Sequence, residues 1–259
     1  MSRFGNLEFG DNSEASQSQE RGSEARDEAY YLAQAKSAFE QGEYESGLRM
    51  YAKVLEFNPQ NALAWTGQVR MLIELGEYRE AKLWADKALE RFPREPELLA
   101  AKAVALGRSG DLDTALAFSD ASIEERGDTP YIWLARGDVL LAREEQRADY
   151  CLEKALFLAG RDWFVTWLAA RVRFFYKQFA QAIKLLQQAI AINIDHDLLW
   201  LQLGYCQMEL GMAGAARDSF QQARSLNPRR AETICALSAA QSPPVTKVFR
   251  GWMRRLFNG

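Results

Sequence analysis

Gly42, Gly76 and Gly110 lie 34 residues apart, and Pro59 and Pro93 keep the same interval. A fixed interval of this size means that one supersecondary unit is repeated along the chain, which constrains the fold more than the length of 259 residues does. The pattern inside the interval is helical. Trp, Tyr and Leu recur at three- and four-residue steps in the first half, and alanines stand seven apart in the second, as in Ala81 and Ala88 or Ala216 and Ala223. Alanine pairs let two backbones approach closely. Glycine tolerates the positive φ of a tight turn, and proline ends one helix or opens the next. One such hairpin cannot bury its apolar face, so stability must come from stacking on neighbours. The interval divides the chain into Glu28–Asn61, Ala62–Glu95, Pro96–Thr129, Pro130–Asp162, Trp163–His196 and Asp197–Arg230, six hairpins in all.

The last of these carries Trp200, Leu203 and Gly204, then Gly211, Ala216, Phe220, Ala223 and Pro228, in the order and at the spacing of the tetratricopeptide repeat, a family it closely resembles. The second repeat matches through Trp65, Gly76, Ala81, Ala88 and Pro93, the third through Gly110 and Ala115, and the fourth through Pro130 and Trp133. Two repeats depart from the pattern. The fourth is one residue short in its turn, so that Ala148 and Ala155 arrive early, and the fifth has Lys177 where the family prefers glycine. The resemblance implies an all-α fold, a superhelical solenoid of about six helix-turn-helix repeats closed by a C-terminal capping helix.

The ends of the chain differ from the repeats. Residues 1–27, rich in Ser, Glu, Gln and Gly, read as a disordered arm before the repeats of 28–230. The apolar segment Phe4-Gly5-Asn6-Leu7-Glu8-Phe9 at its tip is either a short docking peptide or a cluster lying on the first repeat. Residues 231–241 fit the capping helix, with Ile234, Cys235 and Leu237 as its apolar stripe. Pro243 and Pro244 form a hinge to the rest of 242–259. There Val245, Val248, Phe249, Trp252, Met253, Leu256 and Phe257 follow a helical stripe, with Lys247, Arg250, Arg254 and Arg255 around it. Such a basic amphipathic helix docks on protein or on an anionic membrane surface.

Several function classes are excluded by what the sequence holds. A formal net charge of −3 argues against nucleic acid as the partner. No apolar run is long enough for a membrane span, and none at the start serves as a signal-peptide core, which predicts a cytoplasmic protein, peripheral at a membrane if the tail binds one. Cys151, Cys206 and Cys235 form neither a disulfide framework nor a metal pair and read as small buried residues. His196, between Asp195 and Asp197, reads as a helix-boundary residue rather than a metal ligand. Phosphate loops, HExxH and GxSxG motifs are absent, and a single histidine leaves no nucleophile–base device. No enzyme, cofactor or metal site is predicted.

In the family, the first helices of successive hairpins line a concave groove. Carried over, the groove is mixed or small in the first three repeats, for example Leu63, Thr66, Arg70 and Ala100. It is aromatic in the last three: Tyr131 and Leu134, then Phe164, Trp167, Arg171 and Phe174, then Tyr205 and Met208. Aromatic residues with an interleaved arginine are frequent interface anchors. The alternative assigns Trp167, Phe174 and Phe175 to the core. The basic clamp with which some family members hold chaperone tails is missing, since only Lys36 and Arg70 are basic at its places in the first three repeats. The reading is a non-catalytic scaffold or adaptor that holds a peptide or helix of a partner protein. The alternative is a membrane adaptor anchored by Phe249, Trp252, Leu256 and Phe257.

Overall fold

A computed structural model describes residues 27–125 and 128–241; the arm with Phe4 and Phe9 and the basic segment with Lys247, Phe249, Arg250, Trp252, Arg254, Arg255, Leu256 and Phe257 lie outside them. The described residues contain thirteen α-helices and no strand. The chain divides between Glu125 and Arg126 into two compact units.

The first unit holds α1 (Glu28–Glu40), α2 (Tyr44–Phe57), α3 (Ala62–Glu74), α4 (Tyr78–Arg91), α5 (Pro96–Arg108) and α6 (Leu112–Glu124). The second holds α7 (Pro130–Ala142), α8 (Arg147–Ala159), α9 (Trp163–Phe175), α10 (Phe179–Ile192), α11 (Asp197–Glu209), α12 (Ala213–Leu226) and α13 (Ala231–Gln241). Within each unit, consecutive helices pair as hairpins and each hairpin packs on the next.

Local chemistry fixes the helix ends. Asp27, Asn61 and Asp162 accept from backbone N–H groups of the first turn at 2.8–2.9 Å, and Pro96 and Pro130 stand at the first helical position, where no N–H is needed. All six first helices end in the same pair of bonds. In α1 Gly42 N donates to Phe39 O at 3.0 Å and Glu43 N to Ala38 O at 2.8 Å. This is a Schellman turn, which needs a left-handed residue just beyond the helix. Gly42, Gly76, Gly110 and Gly211 supply it, and so do Glu144 and Lys177, each at φ 59°. The short fourth repeat therefore keeps its turn, with Glu145 N bonded to Leu140 O at 2.9 Å. Its missing residue is taken from the start of α8, where Gln146 already has helical dihedrals.

The core follows the alanine pattern. Ala81 and Ala88, Ala148 and Ala155, Ala182 and Ala189, and Ala216 and Ala223 are all buried. First helices carry glycine where the second helix presses closest: Phe220 sits so near Gly204 that a Cβ there would lie 2.3 Å from its ring.

Two expectations need correction in the second unit, the burial of Ile234 and that of Cys235. The buried side of α13 is Thr233, Ala236, Leu237 and Ala240, while Ile234 and Cys235 face outward. On the helical wheel Cys235 falls about 200° from Thr233, opposite the contact. Cys235 is thus exposed, unlike Cys151 and Cys206. The cap of α11 is His196, whose side chain makes no cap bond to the first turn. Asp197, the first helical residue, is instead ion-paired with Arg230 at 2.5 Å, which ties the start of α11 to the approach to α13.

Candidate binding surface

Most aromatic residues of the second unit lie on α7, α9 and α11. Asp162 caps α9 and holds Phe164 N at 2.8 Å, which sets the first turn and the direction of its rings. From there a series of contacts runs along α9. Trp163 packs on the His196 ring at 4.4 Å between centroids, Phe164 on Trp167 at 5.6 Å, and the Arg171 guanidinium lies 5.1 Å from the Trp167 ring centre. An arginine on an indole face gains a cation–π contact.

Depth separates the predicted residues into two sets. Leu134, Trp167, Phe174 and Tyr205 are buried, whereas Tyr131, Phe164, Arg171 and Met208 are half-exposed, as are Phe175 and Leu198. Trp167 departs furthest from the expectation of a ligand-facing ring: it is 1% exposed and its indole N–H donates to Gln202 Oε1 at 2.8 Å. Phe174 stacks edge-on against Phe179 of α10, and Tyr205 against Phe220 of α12. Burial raises the Tyr205 phenol and pushes the Cys206 thiol up to about 12. Buried Asp138 accepts from the Tyr176 hydroxyl at 2.8 Å.

The surface is therefore a set of half-exposed apolar and aromatic side chains with one cation, resting on a hydrogen-bonded floor. Gln202 and Tyr176, which hold that floor, were not singled out in the sequence because partners 35 and 38 residues away leave no local signal. In the first unit several of the matching places are closed or small: Thr66 returns its hydroxyl to Ala62 O at 3.0 Å, and Ala100 and Val104 are buried. Leu63 is exposed, and Arg70 lies over the Phe39 ring. Among the described residues no three acidic, cysteine or histidine side chains converge as metal ligands. No described helix is long and apolar enough to cross a membrane.

A family model for the tetratricopeptide repeat matches residues 38–105 and 176–237, half of the chain. The chain belongs to the tetratricopeptide-repeat family, whose stacked hairpins make it a protein-interaction scaffold by class. It is similar to the BBSome complex member BBS4 of Bos taurus, with 23% identity over 203 residues that cover 78% of this chain and 39% of the relative. The chain thus spans about two fifths of that curated relative's length. Among solved structures it resembles the APC/C hetero-tetramer Cut9-Hcn1, with a TM-score of 0.52 and 16% identity over 84% of this chain and 43% of that one. It also resembles a thermophilic tetratricopeptide-repeat protein of Thermus thermophilus, with a TM-score of 0.51 and 18% identity over 82% of this chain and 98% of that one. These two likenesses concern the fold.

Proposed function

We propose that this chain is a non-catalytic scaffold that holds an apolar segment of a partner protein on the first-helix face of its second unit. The observation that carries this reading is the row of half-exposed Tyr131, Phe164, Arg171, Phe175, Leu198 and Met208 above buried neighbours. Aromatic and arginine side chains on a rigid floor lose little freedom on binding and are the residues that most often dominate interface energies. The relatives' names are consistent with this reading, since one is a member of the BBSome complex and another comes from a hetero-tetramer.

The experiment is affinity capture from the native cell, followed by titration of the captured partner against variants. Phe164→Ala or Arg171→Ala is expected to weaken binding by about 2 kcal/mol, roughly thirtyfold, while Glu124→Gln leaves it unchanged. Equal affinity for all of them would remove the second unit's first-helix face as the binding surface.

A second reading rests on the basic apolar stripe of residues 245–257. Four basic residues at an anionic surface contribute about 4 kcal/mol together, equivalent to only about 1 mM, so burial of Phe249, Trp252, Leu256 and Phe257 must dominate wherever the segment binds. Co-sedimentation with vesicles containing phosphatidylserine, compared with a Phe249→Ser/Trp252→Ser variant, tests it. Binding to vesicles that the variant loses supports a membrane adaptor, and no binding by the unaltered chain ends that reading.

A further inference from the structure

Helix α8 is unlike the other outer helices. Phe157 is 80% exposed and Tyr150 63%. At the place of Phe157 the other five repeats carry Glu56, Glu90, Glu124, Ala191 and Ser225, so the fold does not require a ring there. Trp133 of α7 adjoins this stripe. It stands edge-on to Tyr150 with 6.1 Å between centroids, and Asp128 holds its indole N–H at 2.8 Å. The Lys154 ammonium lies 5.9 Å from the Trp133 ring and 6.0 Å from that of Phe157. A fixed aromatic ledge in water, away from the first-helix face, is the mark of an interaction surface.

The charges beside the stripe select its occupant. At about 100° per residue, Arg147 and Lys154 fall about 40–60° to one side of Tyr150, and Glu153 and Asp149 about 60–100° to the other. Arg147 is paired with Glu145 and Asp149 with Arg173. Lys154 and Glu153 are therefore the charges that border the rings. A face that is basic on one edge and acidic on the other complements itself about a two-fold axis running along the helix, where each acidic edge meets a basic one. An antiparallel pairing would set acidic edge against acidic edge.

We propose that the outer face of α8 is a self-association surface that pairs in parallel with the same face of a second copy, Phe157 on Phe157 and Glu153 against Lys154 in both directions. One helix about 20 Å long falls short of the roughly 800 Å² per partner of a stable dimer, so the association of free copies is weak. Sites held on a larger assembly would still pair through their high local concentration.

Sedimentation velocity of the full chain over a range reaching about 1 mM tests this. The expected result is a rise in mass with concentration that Phe157→Glu weakens at least about thirtyfold, with an unchanged circular dichroism spectrum. Glu153→Lys and Lys154→Glu each weaken association, and the double exchange restores it. A monomer at every concentration overturns the proposal, as does association indifferent to Phe157→Glu. Failure of the double exchange to restore pairing overturns the parallel geometry. Loss of association in Phe249→Ser/Trp252→Ser, with Phe157→Glu silent, assigns the contact to the C-terminal segment instead.

Discussion

Trp167 and Gln202 join α9 to α11 through an indole N–H donated to a side-chain carbonyl 2.8 Å away, both groups being buried. The bond fills the donor of a large ring that would otherwise be buried unsatisfied, and it orients the amide for the same reason.

Trp167→Ala removes the ring and strands the Gln202 carbonyl, so it should destabilise the second unit by about 3–5 kcal/mol. Trp167→Phe keeps most of the volume and should cost about 1–3 kcal/mol, part of which Trp167→Phe/Gln202→Leu recovers. Urea unfolding followed by circular dichroism reads these shifts. A Trp167→Ala protein with the unaltered midpoint would return the ring to the ligand-facing surface.

The turns give a prediction of opposite sign. Glu144 and Lys177 hold left-handed backbone at φ 59°, where a side chain costs about 1 kcal/mol relative to glycine. Lys177→Gly and Glu144→Gly should each raise stability by about 0.5–1 kcal/mol. Gly211→Ala, at φ 76° with open space around its Cβ, should lower it by a similar amount through conformation alone. Thermal unfolding of the three variants checks the signs, and a lower midpoint for Lys177→Gly would contradict the left-handed assignment.

The turns also show what the sequence made legible. Four of the six residues that hold these turns are glycines, and Gly42, Gly76 and Gly110 keep the 34-residue interval, so the hairpins could be counted from it. Glu144 and Lys177 carry no such mark, because the Schellman bonds are made by the backbone and any residue that bears the strain can make them. Depth was harder to read. Phe164, Trp167 and Arg171 share one helix face, and spacing cannot distinguish the ring that Gln202 covers from the one left half-exposed. The outward ring of Phe157 lay at a place where the other repeats carry acidic or small residues, and only an alignment of the repeats against each other brings it out.

Two glycines of the last repeat should respond oppositely to the same methyl group. A Cβ on Gly204 would sit 2.3 Å from the Phe220 ring, itself buried and in contact with Tyr205. Gly204→Ala should therefore cost about 1–3 kcal/mol through overpacking. Gly214, in the first turn of α12, meets nothing within 4 Å, and Gly214→Ala should gain up to about 1 kcal/mol from helix propensity. Chemical denaturation of both variants tests the close approach, which predicts a clear difference between them.

The cysteines offer a chemical test of the same packing. Only a thiolate is alkylated, and burial pushes the Cys206 thiol up to about 12. At pH 8 roughly one Cys206 in 10⁴ is then ionised, and its side chain is also out of reach. Cys151 is buried with its thiol likewise raised, by burial first and against the opposing effect of Arg136. Cys235 alone faces solvent, on the outer side of α13. Iodoacetamide at pH 8 should therefore add one carbamidomethyl group to the native chain, at Cys235, and three in urea. Raising the pH to 9 should still leave Cys206 protected, because that pH lies well below the raised thiol value. Mass spectrometry of the intact protein and its peptides reads the outcome. Prompt labelling of Cys206 in the native chain would show that α11 and α12 do not close over it.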